Sequence, residues 1–144
     1  MSEQEKKVKV KLVSTILPTE GERETYEMWL EGSITHKAGN DYLRYEEVQE
    51  DQTIRTTIKL ARRDTVILRN GAVKMRMPLN IEQSEIGHYE SMYGSLPLET
   101  TTHQLAIDAQ ADGSTRFLTQ YDLRVAGNSV GNYTLEINFT EVNA

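Results

Sequence analysis

The sequence predicts an all-β protein, a closed or nearly closed antiparallel up-and-down β-barrel of about eight to ten strands. Three observations carry that prediction. Apolar and polar residues alternate with a period of two, most cleanly in Tyr133-Thr134-Leu135-Glu136-Ile137-Asn138-Phe139-Thr140, a pattern that only a half-buried strand turns into one dry and one wet face. Gly, Asn or Asp breaks the alternation at hairpin-like intervals. No helical pattern of roughly 10 to 15 residues separates one strand from the next, which argues against βαβ units and for a meander. Closing the sheet on itself removes its free edges, so a barrel is the first choice. A sandwich of two sheets is the alternative, because alternation cannot distinguish the two.

Taken in order, residues 8–17 form the first predicted strand, with Val8, Val10, Leu12 and Ile16 inward and Lys7, Lys9 and Lys11 sharing the wet face. After the break at Gly21, residues 24–36 place Tyr26, Met28, Leu30 and Ile34 inward and leave Trp29, between Glu27 and Glu31, outside. Gly39-Asn40-Asp41 ends that strand. Residues 42–48 are ambiguous: one face carries Tyr42, Arg44 and Glu46, the other Leu43, Tyr45 and Glu47, so either choice turns a carboxylate inward or exposes Tyr45. Beyond Glu50-Asp51, residues 53–61 point Ile54, Ile58 and Leu60 inward, and residues 65–69, after Arg63-Asp64, point Val66 and Leu68 inward. Asn70-Gly71 is a type I′ hairpin signal leading into residues 72–79, with Val73, Met75 and Met77 inward.

In segment 80–86 the run Glu82-Gln83-Ser84-Glu85 interrupts the alternation, which fits a helical turn, a bulge or a lid. Residues 87–91 and 96–107 flank Tyr93-Gly94, the latter with Leu96 and Leu98 inward. Asp112-Gly113 precedes residues 114–125, which bury Phe117, Tyr121, Leu123 and Val125, and Gly127-Asn128 precedes residues 130–142, which bury Tyr133, Leu135, Ile137 and Phe139.

Composition narrows the function classes. A chain of 144 residues suits one domain spanning 1–144. The absence of cysteine excludes disulfide scaffolds, thiol nucleophiles and cysteine metal sites. Residues 1–11 lack the apolar core of a secretory signal and no run approaches a membrane helix, so a cytoplasmic protein without membrane contact is expected. A net charge of −6 disfavours nucleic acid as a partner.

No catalytic or metal signature is present. His36, His88 and His103 match no compact ligand spacing, and His88 or His103 would be the residues to test for a single axial haem bond. Gly94-Ser95 and Gly113-Ser114 precede strands and do not form a nucleophile elbow. Glu46 and Glu47 are adjacent and face opposite ways. The expectation is therefore no cofactor, no metal and no catalytic residue, with an enzyme of unrecognised type held only as a remote alternative.

The inward parity also carries Ser14, Thr56, Thr100, Thr102, Gln104 and Thr119, whose polar atoms need partners. A mixed inner face suits a small internal cavity that takes a small amphipathic or hydrophobic ligand, lined by Met28, Met75, Met77, Thr102 and Tyr121. Arg44 or Arg69, and also Arg76, would stand at the mouth to hold a carboxylate, although a surface salt bridge is the plainer reading of each arginine. The alternative is a protein-interaction module with a filled barrel, using the outer face around Trp29, Leu43 or Tyr45, as a monomer or homodimer.

A resemblance adds to this reading. Tyr42-Leu43-Arg44-Tyr45-Glu46, Leu68-Arg69-Asn70-Gly71-Ala72-Val73-Lys74-Met75-Arg76, Tyr93-Gly94-Ser95-Leu96-Pro97-Leu98-Glu99-Thr100-Thr101-Thr102, Tyr121-Asp122-Leu123 and Gly131-Asn132-Tyr133 resemble the YwiB-like family of small bacterial proteins. The most specific segment is Arg69 to Met75, where the family carries Arg-Ser-Gly-Ala-Val and Asn70 replaces the serine. The resemblance implies a calycin-like, lipocalin-type β-barrel in a bacterial cytoplasm, and it supplies no reaction, cofactor or catalytic residue.

Overall fold

The computed structural model describes residues 4–142. Its strands are β1 (Gln4–Pro18), β2 (Glu24–Lys37), β3 (Asn40–Gln49), β4 (Gln52–Leu60), β5 (Asp64–Gly71), β6 (Lys74–Asn80), β7 (Glu85–Ser91), β8 (Gly94–Ala109), β9 (Thr115–Val125) and β10 (Asn128–Glu141). Each pairs antiparallel with its neighbours in sequence, and β1 pairs with β10 from Val8↔Glu141 to Pro18↔Gly131, so the sheet closes into a ten-stranded up-and-down barrel. The turns after β1, β3, β5, β7 and β9 gather at one end, the mouth. Those after β2, β4, β6 and β8 gather at the other, the base.

The turns follow local chemistry with small offsets. Ala38-Gly39, Glu50-Asp51 and Ala126-Gly127 all have positive φ at both positions, the type I′ requirement, so two of these hairpins turn one residue earlier than Gly39-Asn40-Asp41 and Gly127-Asn128 suggest. Asn70-Gly71 is not a hairpin centre. There β5 continues through Gly71, whose backbone passes so close to β4 that a Cβ would lie 2.2 Å from the Thr53 carbonyl oxygen. Of segment 80–86 only residues 81–84 leave the sheet, as a bend between β6 and β7: the Asn80 side chain accepts a bond from the Glu82 amide, and Arg63 holds Glu82 at 2.8 Å.

Most of the expected inner face is inside, although Tyr26 and Leu96, at the mouth ends of β2 and β8, are 52% and 42% exposed, and three strands settle their faces for clear causes. On β3, Leu43, Tyr45 and Glu47 face inward (0%, 6% and 8% exposed), because burying a leucine and a tyrosine outweighs the cost of one paired carboxylate. On β5 the inward residues are Thr65, Ile67 and Arg69 rather than Val66 and Leu68: Ile67 pairs across to Ile58 and Met77, both core residues. On β8 a bulge between Thr102 and Gln104 shifts the register, so Leu105 and Ile107 pack against the core instead of Gln104.

Across the base half of the barrel one layer is filled, and a second hollow opens at the base end beyond it. Val8, Val10, Leu43, Ile58, Leu79, Phe117 and Ile137 form a layer of almost fully buried side chains. Toward the mouth the same strands carry larger polar and flexible groups, and the barrel is hollow.

Candidate functional site

The hollow at the mouth has a volume of about 690 Å³. Leu12, Ile16, Met28, Ile67, Met75, Met77, Leu123 and Leu135 supply apolar walls, and Tyr45, Glu47, Thr56, Arg69, Tyr121 and Tyr133 supply polar groups. The strands set this arrangement through register. Arg69 lies opposite Thr56 on β4 and Met75 on β6, Thr56 lies opposite Tyr45 on β3, and Tyr121 lies opposite Thr102 on β8 and Tyr133 on β10.

Glu47 and Arg69 form the most buried ion pair among the described residues, with Arg69 Nη2 3.7 Å from Glu47 Oε2 and the Glu47 side chain 9% exposed. A carboxylate so placed needs its cation, since removing either partner strands a charge away from water. The contact is long for a direct hydrogen bond, and Arg69 itself lines the hollow. Around the pair stand phenols held in their neutral, donating form. Burial, reinforced by the Glu47 charge, pushes Tyr45 up to about 12. Tyr121 is raised still further, by burial first and then by Tyr133 and Tyr45, while Arg69 opposes the shift. Tyr133, raised by burial, stacks flat on Tyr121 at 5.4 Å between ring centroids.

Buried hydroxyls complete the set. Thr100 Oγ1 donates to the Pro78 carbonyl at 2.7 Å and Thr119 Oγ1 to the Gln104 carbonyl at 2.9 Å, so these two are satisfied. Thr56 Oγ1 and Thr102 Oγ1 are not. Thr56 lines the hollow beside the Tyr45 hydroxyl without reaching hydrogen-bonding geometry, and an orphaned buried hydroxyl costs about 1 to 3 kcal/mol unless something bonds to it.

The structure thus brings Met28, Arg69, Met75, Met77 and Tyr121 together around one space, with Thr102 buried across from Tyr121. It separates Arg44 from them. Arg44 lies on the outer face, opposite Ser33 and Thr57, with Nη1 3.4 Å from Thr35 Oγ1. Arg76, opposite Leu68 and His88, is also outside. Leu43 and Tyr45, expected on an outer interaction face, are buried inside, whereas Trp29 is exposed as its position between glutamates suggests. Sequence reasoning missed Glu47 and Tyr45 as site residues. Their signal was the unresolved face of residues 42–48, which the inward pull of Leu43 settles.

The base carries a second hollow, of about 800 Å³, bordered by Asp41, Arg62, Asp112 and Glu141. Its carboxylates are engaged locally: Asp41 with His36 at 2.7 Å, Asp112 with the Ser114 hydroxyl at 2.6 Å, Glu141 with Lys6 at 3.3 Å. The mouth hollow is therefore the better candidate. Among the described residues no cluster of His, Asp and Glu is arranged to hold a metal ion, and no helix is long and apolar enough to cross a membrane.

A family model described as a domain of unknown function (DUF1934) matches residues 10–137. The curated protein "Uncharacterized beta-barrel protein YwiB" from Bacillus subtilis (strain 168) is 25% identical over 127 residues, covering 88% of this chain and 89% of its own length. The crystal structure of the ywiB protein from Bacillus subtilis superposes with a TM-score of 0.83 at 24% identity, covering 96% of this chain and 94% of that one. The shared architecture is the closed barrel.

Proposed function

The chain belongs to the DUF1934 family, and on that premise we propose that it binds a small amphipathic or hydrophobic molecule, without chemical turnover, in the hollow at the barrel mouth. The observation that carries this reading is the cluster of Arg69, Glu47, Tyr45 and Tyr121 set among the apolar walls of a cavity of about 690 Å³. Small-molecule sites are typically about 300 to 1,000 Å³, mostly apolar, with a few convergent polar groups that fix orientation. Arg69 and the tyrosine hydroxyls supply donors for an acceptor-bearing head group such as a carboxylate, and the methionines adapt to a variable apolar body. Use of the barrel in the manner of calycins, in a bacterial cytoplasm, belongs to the same reading.

Native mass spectrometry of the protein purified from its own host, with a thermal-shift screen of fatty acids and tetrapyrroles, tests it. A retained small mass and a rise in Tm are expected, because a ligand at a hundred times its Kd stabilises by about 2.7 kcal/mol. Met28→Trp, which fills the hollow, should abolish both. Absence of any retained mass and of any shift across the screen would overturn the proposal.

A further inference from the structure

We propose that β2, whose residues Thr25 to Met28 border the mouth hollow, is an edge for strand addition, and that it takes an extended peptide in which basic residues alternate with apolar ones. The barrel is closed, yet its seams are unequal. On one side β2 pairs with β1 along nearly its whole length, from Gln4↔His36 to Ile16↔Glu24. On the other it pairs with β3 only from Gly32↔Tyr45 to Lys37↔Asn40. Gly32 is the pinch point: a Cβ there would lie 2.4 Å from the Arg44 carbonyl oxygen, and toward the mouth from this close approach the two strands part. Glu24 to Glu31 therefore present, on the β3 side, a row of backbone donors and acceptors at about every second residue with no strand across from them.

Charge defines what fits. The outer face of this edge carries Glu27, Trp29 and Glu31, all exposed, with Trp29 at 69%. Neither glutamate forms an ion pair among the described residues, and the neighbouring mouth loops add Glu20, Glu22, Glu50 and Asp51 against a single cation, Arg23. The molecule itself contains the complementary strand. On the opposite edge of β2, β1 sets Lys9 against Glu31, Lys11 against Trp29 and Val10 against Leu30, and the Lys11 ammonium sits 5.7 Å from the Trp29 ring centroid. A second strand of the same pattern would repeat these cross-strand pairs on the free edge, its lysines meeting Glu27, Glu31 and Trp29 and its apolar residues following Met28 and Leu30 toward the interior.

Trp29 is the sole tryptophan of the chain, so its fluorescence reads this edge directly. The probe is an acetylated and amidated heptapeptide copying residues 7–13, Lys7-Val8-Lys9-Val10-Lys11-Leu12-Val13. Expected are a saturable change in Trp29 emission and amide NMR shifts centred on Glu24 to Glu31. Replacing the peptide's lysines by glutamates, or combining Glu27→Lys with Glu31→Lys in the protein, should weaken binding at least about tenfold. N-methylation of alternate peptide amides, which keeps charge and side chains, should abolish it. The proposal fails if no saturable change is seen, or if the N-methylated or glutamate peptides bind equally well. It also fails if sedimentation shows a dimer, dissociated by Thr25→Pro, in which a second copy already covers the edge.

Discussion

In the base half of the barrel, inside the opening bordered by Asp41 and Glu141, a layer of Val8, Val10, Leu43, Ile58, Leu79, Phe117 and Ile137 interlocks with at most 2% of its surface exposed, whereas toward the mouth the same strands hold Tyr45, Thr56, Arg69, Met75 and Tyr121 around open space. Moving along β3 from Leu43 to Tyr45, or along β4 from Ile58 to Thr56, crosses from one regime to the other within a single inward step. Both halves obey the same alternation and the same register. The lesson is that parity decides only which residues enter the barrel; their size, branching and polarity decide whether the space they enter closes. That packed layer supplies the stability that lets a mouth carry a buried charge pair and orphaned hydroxyls.

The sharpest way to break this contrast is truncation in each half. Phe117→Ala should cost about 3 to 5 kcal/mol in urea denaturation, since a close-packed layer cannot collapse around so large a void. Met75→Ala, beside space that already exists, should cost less than about half as much. Equal losses would mean that the mouth is as tightly packed as the base.

Alkaline pH separates the halves next, because the base layer named above has no titratable side chain. Tyr45 is held at about 12 by burial and the Glu47 charge, above the ordinary 10, so between those values the unfolded chain releases a proton that the folded one keeps. Stability contributed by this phenol is intact below about pH 10 and declines as pH rises toward 12, by roughly 2 to 3 kcal/mol. Tyr45→Phe should flatten that decline in denaturation midpoints measured from pH 9 to 12.

Smaller effects sharpen the picture. Thr56→Val removes a buried hydroxyl that has no close partner, so the protein should gain about 1 kcal/mol in urea denaturation. An unchanged or lower denaturation midpoint would mean that the hydroxyl is bonded after all. Arg44→Ala, on the outer wall, should change stability by less than about 0.5 kcal/mol and leave ligand retention untouched in native mass spectrometry.

Much of this was legible beforehand. Each of the ten strands, and the inward direction of Met28, Met75, Met77 and Tyr121, follows from period-two alternation between turn residues. Illegible were the faces that alternation leaves balanced. Residues 42–48 offer an apolar residue on either side, and only the contacts of Leu43 with the core turn Tyr45 and Glu47 inward. Residues 65–69 mislead because Val66 and Leu68 look like the core pair, yet the register with Ile58 and Met77 selects Ile67 and carries Arg69 in with it. The bulge before Gln104 has no local marker and reverses every face beyond it.

By itself, then, the sequence determined an antiparallel β fold, its hairpin order and most of its lining, because backbone geometry and the exclusion of apolar surface from water act residue by residue. Only the tertiary structure decided that Glu47 meets Arg69, that Thr56 and Thr102 lack partners, and that β2 parts from β3 beyond Gly32. Those facts depend on register, curvature and closure, which arise when all the strands pack at once and no strand can specify alone.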